Sequence, residues 1–267
     1  MKIGFLGCGN MGGALCRAVR RADATATLLL TDTDTEKRDR LAAAVGGCAV
    51  DAPRLFAESD YLFLGLKPQV LALALAPLSE AVASSHAVFI SMAAGVSLDT
   101  LGAILGKKPI IRIMPNTAVE IGEGMTVYAT SQKVTPKATE GFLALMAASG
   151  CCDALPEGMI DAASAVSGCG PAFAYLFLNA LADGGVECGL PRERALAYAA
   201  QTVKGAMQMV QASGRHPEEL KDAVCSPGGS TIVGVHALEA GGLRAAASDA
   251  VCAAYRRTKE LSGGAKK

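Results

Sequence analysis

The sequence predicts an α/β chain: a doubly wound, mostly parallel sheet over residues 1–156, followed by an all-helical C-terminal domain over 157–267. Three observations predict it. Short apolar runs alternate with helix-patterned stretches as far as Pro156, the order expected of a parallel sheet with helices on both faces. Beyond Pro156 strand-like runs stop, and the remainder is alanine-rich and patterned as helices. At the start, Gly7, Gly9 and Gly12 fall between an apolar strand and a helix-forming run.

The strand is Ile3-Gly4-Phe5-Leu6, and Gly7-Cys8-Gly9-Asn10-Met11-Gly12 follows it in G-x-G-x-x-G spacing. The three glycines serve different ends. Gly7 permits the tight turn, Gly9 lets the backbone approach a pyrophosphate, and Gly12 lets the helix pack close on the sheet. The pyrophosphate would rest on free N–H groups at the helix start, where the dipole favours an anion. A glycine-rich turn without a ligand has the same six residues. The context favours a ligand: a helix over Ala14 to Val19 and a second strand, Ala26 to Leu30, leading to Asp32, the separation expected for an acid that holds an adenosine ribose. The N-terminal half therefore reads as a Rossmann-type dinucleotide domain.

The remaining elements follow in order. A helix spans about Thr35 to Val45, capped by Asp34 or Thr35, and a short strand covers Cys48 to Val50. Tyr61 to Leu66 is a continuous apolar run suited to a strand buried on both faces, and it stops at Lys67-Pro68. A helix is expected over Gln69 to Val82, a strand over Ala87 to Ser91 ending in Met92-Ala93-Ala94-Gly95, a helix near Leu98 to Leu105, and a strand over Ile110 to Ile113 ending in Met114-Pro115-Asn116-Thr117. The strand Met125 to Tyr128, the helix Pro136 to Ala148 and the strand Cys151 to Leu155 complete this half. Ligands in such sheets bind beyond the carboxyl ends of the strands. Those ends are Gly7 to Gly12, Asp32, Gly65 to Pro68, Ala93 to Gly95 and Pro115 to Thr117, small or turn-forming residues that also suit ordinary turns.

In the second half an apolar segment runs from Met159 to Val186, interrupted at Gly168-Cys169-Gly170-Pro171. Helices follow from Pro191 to Ala212, Glu218 to Val224, Ser230 to Leu238 and Leu243 to Leu261, with a polar tail, Ser262 to Lys267, expected to fray. The stretch Ala172 to Leu181 has no polar face and must be buried, either against another subunit or as a central core helix.

Composition narrows the function classes. The chain is 51% hydrophobic and 19% charged with zero formal net charge, and aromatic residues make up 4% with no Trp. No basic stripe or base-stacking platform suggests nucleic acid, and no polybasic helix suggests a membrane surface. The first apolar run is a short strand ending in glycines, so no signal peptide is expected. The apolar run Val70 to Leu78 is too short to cross a bilayer. The nine cysteines are odd in number and form no C-x-x-C. They fit a reduced, cytoplasmic protein with buried thiols, and Cys151-Cys152 reads as part of a strand. His86, His216 and His236 are scattered, with no ligand spacing.

Ser226-Pro227-Gly228-Gly229-Ser230-Thr231 is the second stretch of interest. Pro followed by Gly suits a type II turn, which delivers Gly229, Ser230 and Thr231 to a helix start with unpartnered N–H groups. Such a site suits a substrate carboxylate. Ser230 or Thr231 could equally cap its own helix.

Six motifs occur in one order: Gly7-Cys8-Gly9-Asn10-Met11-Gly12, Lys67-Pro68, Ala93-Ala94-Gly95-Val96, Met114-Pro115-Asn116-Thr117, Ser167-Gly168-x-Gly170-Pro171-Ala172, and Leu220-Lys221-Asp222 through Ser226-Pro227-Gly228-Gly229-x-Thr231. Together they resemble pyrroline-5-carboxylate reductase, the family that closes proline synthesis. The resemblance spans nearly the whole chain and is most specific over Leu220 to Glu239. It implies NADPH or NADH held by Leu6, Gly7, Cys8, Gly9, Asn10 and Met11, with Gly12, Asp32, Gly65, Leu66, Lys67, Pro68, Ala93, Ala94, Gly95 and Asn116 around the cofactor. It implies a 1-pyrroline-5-carboxylate carboxylate held by Ser226, Gly229, Ser230 and Thr231, with the Thr231 hydroxyl facing the ring nitrogen as the catalytic contact. It also implies a helical domain interlocked with a second copy, as a homodimer or a larger homo-oligomer. No metal is implied. The chain departs from the family pattern at Ala118 (usually proline), Cys169 (serine), Phe173 (tyrosine) and Ala223 (asparagine in some members).

Asp32 accepts from ribose hydroxyls and repels a 2′-phosphate, which favours NADH. Thr31, Thr33, Thr35, Lys37 and Arg38 could instead serve a phosphate. Two rivals stand beside the reductase reading. A β-hydroxyacid dehydrogenase would resemble G-x-G-x-x-x-K in its second domain, but Ala174 stands where that lysine belongs. A non-catalytic dinucleotide-binding module would bind the cofactor without turnover.

Overall fold

The computed structural model describes residues 1–263. Its sheet has eight strands: β1 (Lys2–Leu6), β2 (Thr27–Thr31), β3 (Cys48–Ala49), β4 (Tyr61–Leu64), β5 (Val88–Ser91), β6 (Ile110–Met114), β7 (Gly124–Thr130) and β8 (Gly150–Ala154). They lie in the order β3-β2-β1-β4-β5-β6-β7-β8. All neighbours run parallel except β6 and β7. The strand order reverses between β1 and β4, which places a crevice beyond their carboxyl ends.

Alternation along the strands builds two cores. Ile3, Phe5, Leu28, Leu30 and Phe63 face one side of the sheet. They pack with Leu15 and Val19 of α1 (Asn10–Ala22), Leu41 and Val45 of α2 (Thr35–Val45), and Phe142 of α7 (Pro136–Met146). Leu29, Leu62, Leu64 and Phe89 face the other side. Their partners are Phe56 of α3 (Ala52–Glu58), Leu71 of α4 (Pro68–Leu75), Val82 of α5 (Ser79–Ser84) and Leu101 of α6 (Leu98–Leu105). The Phe5 and Phe63 rings stack at 4.7 Å across β1 and β4.

Several elements differ from the sequence expectation for identifiable reasons. Residues expected as one helix from Gln69 to Val82 form α4, a 3-10 turn (Ala76–Leu78) and α5, because Pro77 supplies no N–H and breaks the ladder. α3 was not expected, although Asp51 caps it by accepting from the Arg54 N–H at 2.9 Å, with Pro at its start. β4 stops at Leu64 rather than Leu66, and the Gly65 N–H makes the last rung to β1, donating to the Leu6 carbonyl at 2.8 Å. β7 is longer than the expected Met125 to Tyr128 and runs antiparallel to β6. The short connection between them, through a 3-10 turn (Thr117–Ile121), cannot make the crossover that a parallel pair requires. Asp34, not Thr35, caps α2.

The helical part comprises α8 (Ile160–Ser167), α9 (Gly170–Glu187), α10 (Arg192–Ser213), α11 (Pro217–Ala223), α12 (Ser230–Ala240) and α13 (Leu243–Gly263). The expected tail Ser262 to Lys267 is helical as far as Gly263, and residues 264–267 lie outside the described residues. The chain forms two compact units, Met1–Cys169 together with the stretch from Ala254, and Gly170–Ala253. The division falls at the expected Gly168-Cys169-Gly170 break, downstream of Pro156. Cys8 and Cys16 are buried, but Cys48, Cys151, Cys188 and Cys252 are exposed and all nine are free. The expectation of generally buried thiols is therefore corrected: Cys8 and Cys16 alone are buried, and the other seven are partly or fully exposed.

In the second unit the buried residues among those described are Ala182, Ala195 and Ala199. α9 is not a core helix within the chain: Tyr175 is 66% exposed and Leu176 74%. Phe173, Leu176, Phe177, Leu181, Leu238 and Leu243 line an apolar groove of ≈ 620 Å³. The stretch Glu157–Glu187 has the length and hydropathy of a membrane span, but it is divided into α8 and α9.

Candidate active site

The glycine loop leaves β1 and enters α1 at the switch point. Gly7 has φ +101°, open to glycine at little cost. A Cβ on Gly7 would lie 2.6 Å from the Gly65 carbonyl oxygen, and one on Gly12 would lie 2.2 Å from the Gly7 carbonyl oxygen. The loops after β1 and β4 thus touch backbone to backbone, and α1 packs onto the turn beneath it. At Gly9 a Cβ would meet nothing within 4 Å. The space over the middle glycine is open where a pyrophosphate would lie. Gly9 is the N-cap of α1, no side chain caps this end, and no acid occupies the first turn. The first-turn N–H groups are therefore available to an anion.

A cavity of ≈ 390 Å³ joins the strand ends: Gly9, Asn10, Met11, Gly12, Gly65, Leu66, Lys67, Pro68 and Ala94 line it, with Met92, Met114 and Pro115. Motifs from four separate strand ends meet there. The sequence pattern did not single out Met92 and Met114 as lining residues, although both directly follow or close a strand. A larger cavity of ≈ 710 Å³ between α4, α5 and α6 holds none of the motif residues.

Other expected residues lie behind the cavity. Leu6 and Ala93 are buried beneath it. Cys8 opens instead onto a neighbouring cavity of ≈ 360 Å³ lined by Gly9, Asn10, Arg17, Lys37 and Arg40. Burial, with the Asp32 charge second, pushes the Cys8 thiol up to about 12, so it stays protonated. Asp32 Oδ2 accepts from the Cys8 N–H at 2.6 Å, and Oδ1 accepts from the Asp34 N–H at 2.9 Å. The carboxylate braces the glycine loop and retains acceptor capacity. Asn116 is a brace as well: its Nδ2 donates to the Ser167 carbonyl at 3.0 Å, and its Oδ1 accepts from the Ala118 and Met125 N–H groups. Lys37 pairs with Asp34 at 3.2 Å and Arg38 with Asp39 at 2.8 Å.

In the second unit, the Gly229 N–H donates to the Ser226 carbonyl at 3.0 Å, and Gly228 has φ +68°. This is the expected turn, with Pro227 and Gly228 at its centre, but the Gly229 N–H, expected to be unpartnered, is spent closing it, which leaves those of Ser230 and Thr231 at the helix start. A Cβ on Gly229 would lie 2.3 Å from Ser226 Oγ, so glycine is what lets the serine hydroxyl sit against the helix start. Gly229 is the N-cap of α12, and no side chain caps that end. Self-capping by Ser230 or Thr231 is thereby excluded. Among the described residues the Ser226, Ser230 and Thr231 hydroxyls have no hydrogen-bond partner, and all three residues are exposed. Three hydroxyls and an uncapped helix start can receive a carboxylate. Lys221, by contrast, is committed to Glu218 at 2.5 Å and Asp222 at 3.3 Å. His216 caps α11 through Nδ1, which accepts from the Glu218 N–H.

The chain matches the family pyrroline-5-carboxylate reductase dimerisation over residues 157–261. Residues 2–95 match the family NADP oxidoreductase, coenzyme F420-dependent. It is 40% identical to a pyrroline-5-carboxylate reductase of Methanosarcina acetivorans over 264 residues, 97% of each chain. It is 38% identical to that of Arabidopsis thaliana, covering 98% of this chain and 95% of the relative. Among solved structures, the Streptococcus pyogenes 1-pyrroline-5-carboxylate reductase superposes with a TM-score of 0.88 at 32% identity, over 97% of this chain and 98% of that one. The Plasmodium falciparum pyrroline carboxylate reductase, solved with NADP bound, superposes with a TM-score of 0.86 at 29% identity over 98% of both chains.

Proposed function

The chain belongs to the pyrroline-5-carboxylate reductase family, and from that membership we propose how its residues carry the reaction. It is an NAD(P)H-dependent oxidoreductase that reduces 1-pyrroline-5-carboxylate to L-proline. The glycine loop and the cavity at the β1/β4 switch point receive the dinucleotide. The turn Ser226 to Thr231 receives the substrate. The observation that carries this assignment is the uncapped start of α12, with the Ser226, Ser230 and Thr231 hydroxyls unengaged around it.

The nicotinamide, when bound, supplies the hydride that the C=N carbon accepts. The residues of the chain orient the two partners. The N–H groups of Ser230 and Thr231 and the Ser226 hydroxyl hold the carboxylate, while the Gly229 N–H keeps the turn closed on the Ser226 carbonyl. The Thr231 hydroxyl accepts from the protonated imine N–H, which fixes the ring. A protonated cyclic imine is already a strong electrophile, so position supplies most of what the protein must add. The absence of a lysine at Ala174 argues against the hydroxyacid dehydrogenase chemistry, which requires a general acid there.

We assign the functional boundary near 157, where the dimerisation match begins. We read the exposed apolar faces of α9, α12 and α13 as covered by a second copy in a homodimer or a larger homo-oligomer of dimers, and we place the enzyme in the cytoplasm. The test is direct: purified protein, NADH or NADPH, and 1-pyrroline-5-carboxylate, followed by loss of nicotinamide absorbance. Cofactor binding without turnover would favour a non-catalytic dinucleotide module.

A further inference from the structure

A charged cluster lies beside the strand ends that form the candidate cofactor cavity, and none of its residues lines that cavity. Arg112, in the middle of β6, is 4% exposed. Its Nη1 donates to Glu157 Oε1 at 3.1 Å and its Nη2 to Asp161 Oδ1 at 2.8 Å. Glu157 Oε1 also accepts from the Leu98 N–H at 2.6 Å. Asp161 Oδ2 accepts from Lys259 Nζ, on the last helix, at 3.0 Å. Two cations thus meet two carboxylates. Burial alone would push the Asp161 carboxyl up, and Lys259 and Arg112 outweigh it.

Buried ion pairs are weak contributors to stability beside an apolar replacement, so what this cluster holds matters more than its count of contacts. Leu98 is the first residue of α6 and lies three residues beyond Gly95. Ser97 caps the same helix by accepting from the Thr100 N–H, and Glu157 takes the Leu98 N–H that Ser97 leaves free. Glu157 therefore pins the exit of the Ala93-Ala94-Gly95 loop, whose Ala94 lines the candidate cofactor cavity. Arg112 precedes Met114, another lining residue, by two positions on the same strand. Lys259 fastens the C-terminal stretch that packs with this unit to the same four-residue cluster.

We infer that Glu157 and Asp161 are positioning residues: bridged by Arg112, they hold the Ala93 to Leu98 loop in its cofactor-receiving conformation, and Lys259 makes that conformation depend on the docked last helix. The inference rests on the cofactor assignment made above. Neither carboxylate lines the candidate cofactor cavity; Glu157 acts on the loop directly through the Leu98 N–H, and Asp161 acts through Arg112.

The test uses Glu157→Ala, Glu157→Gln, Lys259→Met and Lys259→Arg in the full chain. The Kd for NADH and NADPH is read from nicotinamide fluorescence, and amide exchange over 93–98 is followed without cofactor. Glu157→Ala should raise Kd and the cofactor KM about tenfold, leave kcat within about twofold, and speed exchange at Leu98. Glu157→Gln keeps an acceptor for the Leu98 N–H and should recover most of the affinity. Lys259 is half-exposed on a helix surface, so Lys259→Met tests the network without threatening the core; it should raise Kd severalfold, with Lys259→Arg restoring it. Unchanged Kd and unchanged exchange in Lys259→Met and Glu157→Ala would overturn the inference, even if melting temperatures fall. Failure of the wild-type chain to bind either dinucleotide would instead overturn the cofactor assignment.

Discussion

Replacing Thr231 with alanine separates a catalytic hydroxyl from a structural one. A threonine that caps its helix costs about 1 kcal/mol when removed. Here Gly229 occupies the cap position without side-chain help, and Thr231 sits inside the first turn with its hydroxyl unengaged. Alanine is also the better helix former, so Thr231→Ala should change stability by less than about 0.5 kcal/mol, a melting shift of roughly 2 °C or less in a chain of this size. The catalytic expectation is much larger. A hydrogen bond to a charged group is worth about 1.5–3 kcal/mol, on the order of ten- to a hundredfold in rate. The assay is kcat/KM for 1-pyrroline-5-carboxylate beside the melting temperature, for wild type, Thr231→Ala and Thr231→Ser. The alanine variant should melt like wild type and lose at least tenfold in kcat/KM, and serine should recover most of it. Equal kcat/KM in wild type and Thr231→Ala would remove the hydroxyl from the mechanism and leave only the backbone of the turn as the substrate site.

Cofactor choice should follow Asp32: NADH is expected to be used at least as well as NADPH, and Asp32→Ser should shift the kcat/KM ratio toward NADPH. A large wild-type preference for NADPH would show that Lys37 and Arg40, rather than Asp32, govern the ribose end. Gly12→Ala places a Cβ 2.2 Å from a backbone carbonyl oxygen; it should cost about 1–3 kcal/mol of stability and weaken cofactor binding, as thermal melts and nicotinamide fluorescence would register. Asp161 titrates below the usual carboxylate range when folded, so its contribution is present above about pH 4 and lost as pH falls through the lower folded value. Acid unfolding of Asp161→Asn should lack that part of the wild-type slope. Light scattering should find no stable active monomer at micromolar concentration, and Leu176→Asp on the exposed face of α9 should drive dissociation.

Local chemistry explains what could be read from the sequence. The glycine spacing, the Asp34-capped α2 and the Pro-Gly turn before α12 each depend on residues within a few positions of one another, and each stands where expected. Long-range partners are the unread part. Nothing near Arg112 announces Glu157, Asp161 and Lys259, which come from a 3-10 turn and two helices distant in sequence. Asp32 reads as a ribose acceptor from its position at the end of β2, but its bond to the Cys8 N–H becomes visible only when β1 and β2 lie side by side. Asn116 likewise stands at a strand end among site residues, yet its amide is spent on Ser167, on its own turn at Ala118 and on Met125 of β7. α3 carries a readable Asp-x-Pro start, but seven residues show too little periodicity to mark a helix.

Hydrophobic burial is divided unevenly between the units, and the division bears on which activities can be separated. The first unit buries Phe5, Phe56, Phe63, Phe89 and Phe142 with many leucines on two faces of a sheet, enough apolar area to hold its cavity in shape. The second unit buries three alanines and leaves Leu176, Val233 and Met207 mostly exposed. An apolar helical surface of that extent needs a partner surface, and the turn proposed to hold the substrate is built on it. Cofactor affinity should therefore survive conditions that separate the copies, while turnover should not. Dilution followed by parallel measurement of NADH binding and initial rate checks this. Loss of both at the same concentration would mean that the glycine-loop cavity also needs the second copy, and that the two units are less independent than their cores suggest.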